Sequence, residues 1–386
     1  MNKFIPFAQP LFGKEEKNEV VDALDSGWVT LGPRTHQFEE DFAKYVGSRY
    51  AVAMSSCTAG LFLSLLASGI SKGDEVITTI LTFAATANPI VQLGGVPIFV
   101  DVMEDSLNID VSKIEEKITK KTKALMIMHY GGQAVDMAKV KSLAKKYKLL
   151  IIEDAATAVG TEYKGTRIGN IGDATVFSFH AIKNMSTGDG GMVTTNNKNL
   201  YDKLCLLRLH GMSKDAWKRH SAVGSWRYDV SLPGYKFNMT DIQAALGIQQ
   251  LKKLDKFIAV RQKYASIYDE KFSKIAEIRV PHNDTSNRHA RNLYTVQIDI
   301  SKLTITRDQI VEEMKKRNIG ANVYYMPLYE LSFYKKDLKV KPSDFPVAQK
   351  VFKKMLTLPL YPKMTIEEVN YVADTLIEIV TNFKSK

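Results

Sequence analysis

The sequence predicts an α/β fold: a large domain with a mainly parallel mixed sheet wrapped by helices, followed by a smaller C-terminal α+β domain. Up to about residue 200, short β-rich runs alternate with helical stretches. Roughly the last hundred residues combine one strand pattern with three helical patterns. We place the large domain in residues 1–250, and an interdomain helix with the small domain in residues 251–386.

The individual elements follow from apolar periodicity and from the turn residues between the runs. The strands of the large domain are rich in apolar residues, which indicates burial on both faces. Strands are predicted at residues 50–54, 75–79, 97–100, 123–129, 149–153, 174–178, 191–195 and 294–300. The first helix is predicted to begin near residue 55 and to end at residue 70. Further helices are predicted at 86–93, 136–147, 240–273, 306–318, 343–356 and 365–382, and Asp110 is predicted to cap a short amphipathic helix.

Composition limits the class of protein. The chain has 386 residues, of which 45% are apolar, and a net charge of +11, which favours anionic partners such as nucleic acid, phospholipid or a phosphorylated small molecule. The longest apolar run, residues 61–67, is far shorter than the roughly 20 residues of a membrane span, and no signal-peptide segment is visible, so we expect a soluble cytoplasmic protein. Cys57 and Cys205 are too far apart for a CxxC zinc site or a disulfide scaffold, and no metal is expected.

Two common nucleotide-binding motifs are missing. The chain contains no GxxxxGK[ST] sequence, and the glycines at residues 165–172 are wrongly spaced for a dinucleotide fingerprint. Simple ATP and NAD sites are therefore not predicted.

A phosphate site is predicted where a strand gives way to a helix. Residues 55–60, SSCTAG, place small hydroxyl residues and a glycine there. Free N–H groups and the positive end of the helix dipole favour a phosphate at such a point. An ordinary N-cap explains the same residues.

A carboxylate, Asp154, ends a buried apolar strand, at the edge where ligands bind in open parallel sheets. A carboxylate buried there needs a cationic partner. That partner is either a ligand or another side chain in a structural ion pair.

Lys183 lies in an apolar setting flanked by glycines, within residues 177–191. Desolvation there would lower the pKa of its amine and make it nucleophilic. A lysine in so basic a chain is usually a solvated surface charge, and His180 nearby is more often a packed ring than a catalyst. Phe83 could stack on a flat ring or simply belong to the core.

A phosphate cradle, an aromatic plate, a carboxylate and an activated lysine together are what pyridoxal 5'-phosphate requires. The lysine forms an imine with the aldehyde, and the carboxylate keeps the pyridine nitrogen protonated. The four features therefore predict a pyridoxal phosphate enzyme.

The same residues resemble the DegT/StrS-type sugar-nucleotide aminotransferases, which are pyridoxal phosphate enzymes of fold type I, the aspartate aminotransferase-like fold. The resemblance extends from residues 26–33 to the C-terminal domain. Its most specific pieces are GDEVI at 73–77, TF at 82–83, EDAA at 153–156, FSFHAIKN at 177–184 and GYKFNMTD at 234–241.

The resemblance implies a role for each matched residue. Lys183 is the Schiff-base lysine, Asp154 the partner of the pyridine nitrogen and Phe83 the stacking aromatic. The remaining cofactor contacts that it implies are Thr58, Ala59, Cys57, Ser178, Thr157 and His180. Lys236 and Asn238 would contact the phosphate in the neighbouring subunit, which implies a homodimer with shared active sites.

Within the family, FHAIKN, GYKFNMTD, His210-Gly211 and residues 215–217 most resemble enzymes that aminate C4 of a UDP-4-keto sugar, including the 4-amino-arabinose branch. L-Glutamate would be the amino donor, pyridoxamine phosphate the intermediate form, and the product an amino sugar for lipopolysaccharide, another surface polysaccharide or an antibiotic-type glycan. Candidate substrate contacts are Arg34, Arg227 and Tyr325. The sequence departs from the family's pattern at two places. Thr157 stands where relatives commonly carry Gln or His, and residues 324–328 lack a histidine that is often found there.

Two alternatives remain. A sugar dehydratase on the same scaffold would carry His in place of Lys183. A basic nucleic-acid-binding regulator is suggested by the pI of about 9.2 and by helices that could mimic a helix-turn-helix, although the basic residues are dispersed.

Overall fold

A seven-stranded sheet forms the centre of the computed structural model, which describes residues 3–212 and 228–385. Its strands are β1 (Tyr50–Met54), β2 (Glu75–Thr79), β3 (Val96–Val100), β4 (Thr122–Met128), β5 (Leu150–Asp154), β8 (Ala174–Ser178) and β9 (Gly191–Thr195). The spatial order is β1-β9-β8-β5-β4-β2-β3. Every neighbouring pair is parallel except the two that involve β9, so the predicted mainly parallel sheet is confirmed.

Helices cover both faces of this sheet. The described helices up to residue 272 are α1 (Lys14–Asp25), α2 (Pro33–Val46), α3 (Cys57–Ala67), α4 (Ala84–Gln92), α5 (Met137–Tyr147), α6 (Lys198–Leu207) and α7 (Asp241–Phe272). Side chains alternate between the two faces of a strand, so neighbouring strand residues pack in different hydrophobic cores. Ala53 packs with α2, α5 and α7, whereas Val52 packs with α3 and α6.

The small domain is built on a three-stranded antiparallel sheet. Its strands are β10 (Ile278–Arg279), β11 (Tyr294–Ile298) and β12 (Met355–Leu358), and its helices are α8 (Arg307–Lys316), α9 (Ser332–Lys336), α10 (Pro346–Phe352) and α11 (Ile366–Asn382). A separate two-stranded hairpin joins β6 (Glu162–Tyr163) to β7 (Thr166–Arg167).

The 32-residue helix α7 connects the two parts of the molecule. Thr240 caps it: its hydroxyl accepts the N–H of Gln243 at 3.2 Å. Leu251 packs in the core of the large sheet, and Tyr268 packs in the core of the small domain. The predicted division between residues 250 and 251 falls inside this helix and stays a prediction.

Two local predictions were wrong. The helix expected at residues 343–356 ends at Phe352, and residues 355–358 pair with β11 as β12. Asp110 does cap a helical segment, but the segment is two 3₁₀ turns, Val111–Lys113 and Glu115–Lys117, and not an amphipathic α-helix. Short apolar runs fit either period, and here pairing with β11 decides the outcome.

In the part of the chain that the structure describes, no helix combines the length and apolar character needed to cross a bilayer.

Candidate active site

A cavity of about 300 Å³ opens at the carboxyl edge of the large sheet, where parallel strands end together. The ends of β4, β5 and β8 contribute Met128, Asp154 and Ser178 to its wall. Nine of the predicted site residues line it: Cys57, Thr58, Phe83, Asp154, Thr157, Ser178, His180, Lys183 and Tyr325. Residues separated by hundreds of positions in the sequence therefore meet in one place.

Asp154 is a buried carboxylate, only 4% exposed. Thr86 donates its hydroxyl to Oδ2 at 2.6 Å, and the N–H of Ala156 donates to Oδ1 at 3.1 Å. Burial raises the pKa of Asp154 above its usual value, against the opposing effects of these hydrogen bonds and of Lys183. Among the described residues no cation forms an ion pair with it, so a cationic ligand would lower that pKa again.

Glu153, the neighbour of Asp154, points to the other face of the strand and is fully buried. Its carboxylate accepts hydrogen bonds from the N–H of Gly172 and the hydroxyl of Thr175, both at 2.7 Å. His129 Nδ1 accepts the N–H of Val135, so its proton is on Nε2 and is donated to Glu153 at 2.9 Å. Glu153 is therefore a structural residue, and Asp154 is the carboxylate available to a ligand.

Lys183 follows β8 on a tight loop and lines the cavity. No carboxylate of the described chain lies within ion-pair distance of its amine. Burial lowers the pKa of its amine, and the charges of Cys57 and Asp154 only partly offset this effect. An amine with a lowered pKa has a larger neutral fraction near neutral pH, and the neutral form is the nucleophile.

The start of α3 forms a further wall of the cavity. Ser56 caps the helix by accepting the N–H of Ala59 at 3.1 Å, which leaves the N–H groups of Cys57 and Thr58 without intrahelical partners. Gly191 of β9 packs directly against this point. A Cβ at Gly191 would lie 2.6 Å from the nitrogen of Cys57 and 2.5 Å from the carbonyl carbon of Ser56. The close approach therefore requires glycine.

Aromatic rings form the side of the cavity away from the sheet. Phe83 is 62% exposed, so it is not a core residue, and its ring centroid lies 6.3 Å from that of Tyr325. Tyr325 is 8% exposed and also packs edge-on against Tyr130 at 6.1 Å. Burial raises the pKa of the Tyr325 phenol well above its usual value, and the charges of Tyr130 and Asp154 act in the same direction.

Three further lining residues, Thr157, Ser178 and His180, differ in the hydrogen bonds and exposure of their side chains. Thr157 donates its hydroxyl to the carbonyl of His129 at 2.8 Å. The hydroxyl of Ser178 accepts a long hydrogen bond from the N–H of His180 at 3.4 Å. His180 itself is exposed.

Four predicted site residues within the described chain lie outside the cavity lining. The N–H of Ala59 is bound to Ser56, and Arg34 pairs with Glu19 at 3.0 Å. Lys236 is exposed, and Asn238 donates its side-chain amide to the carbonyl of Met239 at 3.0 Å. Arg227 and residues 215–217 lie outside the described residues.

Sequence reasoning missed several contributors. Thr86, which holds Asp154, is the most informative, and its hydroxyl also lies 2.6 Å from that of Thr82. Thr86 lies in the first turn of α4, whereas Thr82 precedes the N-cap Phe83, so helical periodicity in the sequence did not signal their contact. Other unpredicted lining residues are Ser56, Ala85, Met128, Ala156, Ile182, Asp189, Gly190 and Tyr324.

The donor set fits pyridoxal phosphate. A buried carboxylate without an ion-pair partner among residues 3–212 and 228–385 suits a pyridinium nitrogen, and an amine of lowered pKa suits an aldehyde. The free N–H groups at the start of α3, approached by a glycine, suit a phosphate.

Comparison with known proteins places the chain among aminotransferases. The model of the DegT/DnrJ/EryC1/StrS aminotransferase family matches residues 10–377. The spore coat polysaccharide biosynthesis protein SpsC of Bacillus subtilis is 47% identical over 380 residues, which is 98% of each chain.

Solved structures agree with the family match. The putative sugar aminotransferase Spr1654 of Streptococcus pneumoniae, solved in PMP and PLP forms, has a TM-score of 0.92 for the PMP form at 33% identity, covering 98% of this chain and 99% of that one. PseC of Helicobacter pylori, an aminotransferase of pseudoaminic acid biosynthesis, has a TM-score of 0.92 at 31% identity, covering 99% of this chain and 100% of that one.

Proposed function

Since this chain belongs to the DegT/DnrJ/EryC1/StrS aminotransferase family, a family of sugar aminotransferases that use pyridoxal phosphate, we propose that it aminates C4 of a nucleotide-linked 4-keto sugar. The nucleotide is UDP and the amino donor is L-glutamate. One observation carries the proposal: Lys183 and Asp154 line the same cavity, each without an ion-pair partner in the described chain. Without a bound ligand, burying these two groups unpaired costs free energy of folding, and the arrangement suits pyridoxal 5'-phosphate.

The bound cofactor supplies an electron sink that stabilises negative charge on the substrate carbon. Asp154, held by Thr86 and the N–H of Ala156, keeps a proton on the pyridine nitrogen. Lys183 binds the cofactor covalently between turnovers. During turnover its Nζ would remove the proton from the substrate carbon that bears the amino group and deliver it to the aldehyde carbon of the cofactor. The lowered pKa of Lys183 favours the neutral amine that this step needs.

The other lining residues bind and orient. The first N–H groups of α3, at Cys57 and Thr58, and the hydroxyl of Ser178, all of which line the cavity, would hold the phosphate. Phe83, whose side chain is exposed, would stack on the cofactor ring. Tyr325 would contact the sugar from the small-domain side, while Thr157 and His180 would contact the cofactor.

The support for a nucleotide sugar is chemical. A nucleotide diphosphate and a dicarboxylate are both anionic, and the chain carries a net charge of +11. SpsC is named for spore coat polysaccharide biosynthesis and PseC for pseudoaminic acid biosynthesis, which agrees with a product that enters a surface polysaccharide such as lipopolysaccharide. Arg34 and Arg227 are the proposed contacts to the anionic groups. We place the enzyme in the cytoplasm.

A homodimer completes the site in this proposal. Lys236 and Asn238 lie outside the cavity lining of their own chain, and they would contact the phosphate bound by the other subunit. The backbone of Asn238 pairs with Met54 at the end of β1, which fixes the segment. Tyr228 and Val230 precede it with 57% and 51% exposure, as is common for apolar residues that a partner covers.

The presence of lysine at position 183 disfavours the dehydratase alternative, because those relatives carry histidine there. The regulator alternative does not explain a cavity that joins a buried carboxylate to an amine of lowered pKa.

The substrate is tested by mass spectrometry of products from UDP-, GDP- and dTDP-linked 4-keto sugars, each with L-glutamate or another amino acid. We expect the amino sugar chiefly from the UDP substrate with glutamate. Equal turnover of all three nucleotides, or a different donor, would contradict the specificity and leave the aminotransferase assignment standing.

Lys183→Ala should lower turnover by about 100-fold or more, while Lys198→Ala, at an exposed lysine of α6, should not.

A further inference from the structure

A second and much smaller cavity shares Lys183 with the main one. Its volume of about 10 Å³ has room for a single particle of the size of a water molecule. It lies where the loop after Lys183 meets α7 and residues 9–11. Its lining consists of Gln9, Pro10, Leu11, Lys183, Asn184, Ser186, Gln250, Phe257, Arg261 and Pro362. None of these described lining residues is Asp or Glu.

Arg261 of α7 is the buried charged group at this cavity that the proposed cofactor does not account for. Its side chain is 2% exposed, and both of its hydrogen bonds leave from Nη1, to the carbonyl oxygens of Leu360 and of Asn292. Its Nε is buried and has no hydrogen-bond acceptor among the described residues. No carboxylate of the described chain pairs with it.

This arrangement costs free energy. Burial lowers the pKa of Arg261 to about 9, and no neighbouring acidic group offsets the effect. A guanidinium keeps its proton in proteins, so the shift expresses the cost of a buried charge without a counter-charge.

Ser186 offers a second donor. It is 1% exposed, and its Oγ accepts the N–H of Gly188 at 3.0 Å. Its own hydroxyl hydrogen has no acceptor within the part of the chain that the structure describes. Both Ser186 and Arg261 line this small cavity.

Two of the side-chain amide oxygens around the cavity are already engaged. Gln250 Oε1 accepts the N–H of Ser186 at 3.2 Å, and Asn184 Oδ1 accepts the amide of Asn292 at 2.9 Å. Two hydrogen-bond donors, one of them cationic, therefore belong to residues that line a space where, among the described lining residues, only the exposed Gln9 carries a further side-chain amide oxygen. A water molecule would add two more hydrogens that need acceptors, whereas an anion accepts only.

We propose that one monovalent anion of the size of chloride binds in this cavity and accepts hydrogen bonds from Arg261 Nε and the Ser186 hydroxyl. A space this small favours a single-atom anion over phosphate, sulfate or a carboxylate. The anion neutralises the buried guanidinium at the junction of α7, the loop after Lys183 and the small domain, which Arg261 reaches through Leu360. Halide therefore stabilises this junction in the holoenzyme. The proposal does not depend on which sugar the enzyme uses.

Bromide is the direct probe, because its anomalous scattering distinguishes it from water. Crystals of the holoenzyme in bromide should show an anomalous peak within about 3.5 Å of Arg261 Nε. In Ser186→Ala the peak should weaken, and in Ser301→Ala, a change at an exposed serine, it should not. Full occupancy by water in bromide would overturn the proposal.

Thermal unfolding of halide-free holoenzyme gives a second readout. At equal ionic strength, chloride should raise the Tm by about 2 °C or more relative to gluconate. Ser186→Ala should lose most of that rise, and Ser301→Ala should keep it. An equal Tm in the two salts would contradict the proposal.

Discussion

Asp154 and Lys183 are both held in surroundings that disfavour their charged forms. Burial raises the pKa of the Asp154 carboxyl and lowers the pKa of the Lys183 amine. Such opposed shifts within one cavity are typical of catalytic groups and work against the stability of the free protein. In our proposal the cofactor removes both penalties, since it gives Asp154 a cationic partner and binds the amine of Lys183.

Asp154→Asn tests this penalty. In the cofactor-free protein the pKa of Asp154 is higher in the folded state than in the unfolded chain. Protonation of Asp154 therefore stabilises the folded state. This contribution is present below the pKa of the unfolded chain and is lost as the pH rises through the folded pKa. At pH 7 Asp154→Asn should therefore raise the Tm of the cofactor-free protein by about 2 °C, and the gain should shrink as the pH falls. Activity should drop by about 100-fold or more.

The control for this prediction is Asp136→Asn. Burial tends to raise the pKa of Asp136, but hydrogen bonds from Tyr163 and Lys139 lower it overall. Its ionised form therefore favours folding at pH 7, and Asp136→Asn should lower the Tm. If Asp154→Asn lowers the Tm in the same way, the account of Asp154 is wrong.

The sequence predicted the residues at the centre of the site better than those that hold them. Asp154, Lys183 and Phe83 line the cavity as expected. Thr86 and His129 were not predicted, because their hydrogen bonds to Asp154 and Glu153 depend on how α4 and β4 pack beside β5. A sequence shows the identity of a side chain but not its contact with a residue 68 positions away.

Among the elements, the start of α3 is the most sensitive part of the proposed phosphate site. The backbone of β9 reaches it only because residue 191 is glycine. The start of a helix binds an anion through N–H groups whose positions matter to fractions of an ångström.

Gly191→Ala should displace the start of α3 and weaken cofactor binding. The added Cβ would lie 2.5 Å from Ser56, a distance that backbone atoms cannot tolerate. We expect the Kd for pyridoxal phosphate to rise about tenfold or more, as measured by fluorescence titration. Gly165→Ala is the matched control: it strains a backbone with φ of +77° but has nothing within 4 Å of its Cβ. A Kd unchanged in Gly191→Ala would argue against this phosphate site.

Most elements of the large sheet could be predicted because turn residues interrupt their apolar runs. β1, β2, β8 and β9 have the expected bounds. The strand β12 was missed because its four residues gain their hydrogen bonds from β11, some 60 positions earlier. The helix α6, Lys198–Leu207, was not predicted, although Asn197 caps it through the N–H groups of residues 199 and 200.

At the scale of the whole molecule, α7 connects the large sheet to the small domain, which contributes Tyr324 and Tyr325 to the cavity. The site therefore depends on both parts of the chain. Their division at residues 250 and 251 remains our proposal, as does the dimer that would complete each site.

Mixing two inactive variants tests the shared site. Lys183→Ala keeps an intact 236–238 segment, and the double variant Lys236→Ala/Asn238→Ala keeps an intact lysine. If the segment acts in the other subunit, refolding the two together should restore activity to about a quarter of wild type, since half of the dimers are mixed and each has one complete site. Each variant refolded alone is the control. A mixture as inactive as its components would contradict sharing.

We propose that Lys183 binds the cofactor covalently opposite Asp154. The attachment point can be found by reducing the holoenzyme with borohydride, digesting it and locating the modified lysine by mass spectrometry. We predict that the cofactor mass is found on the peptide that contains Lys183, with loss of the visible-edge absorbance band. Attachment to any other lysine, or no covalent attachment, would contradict the account.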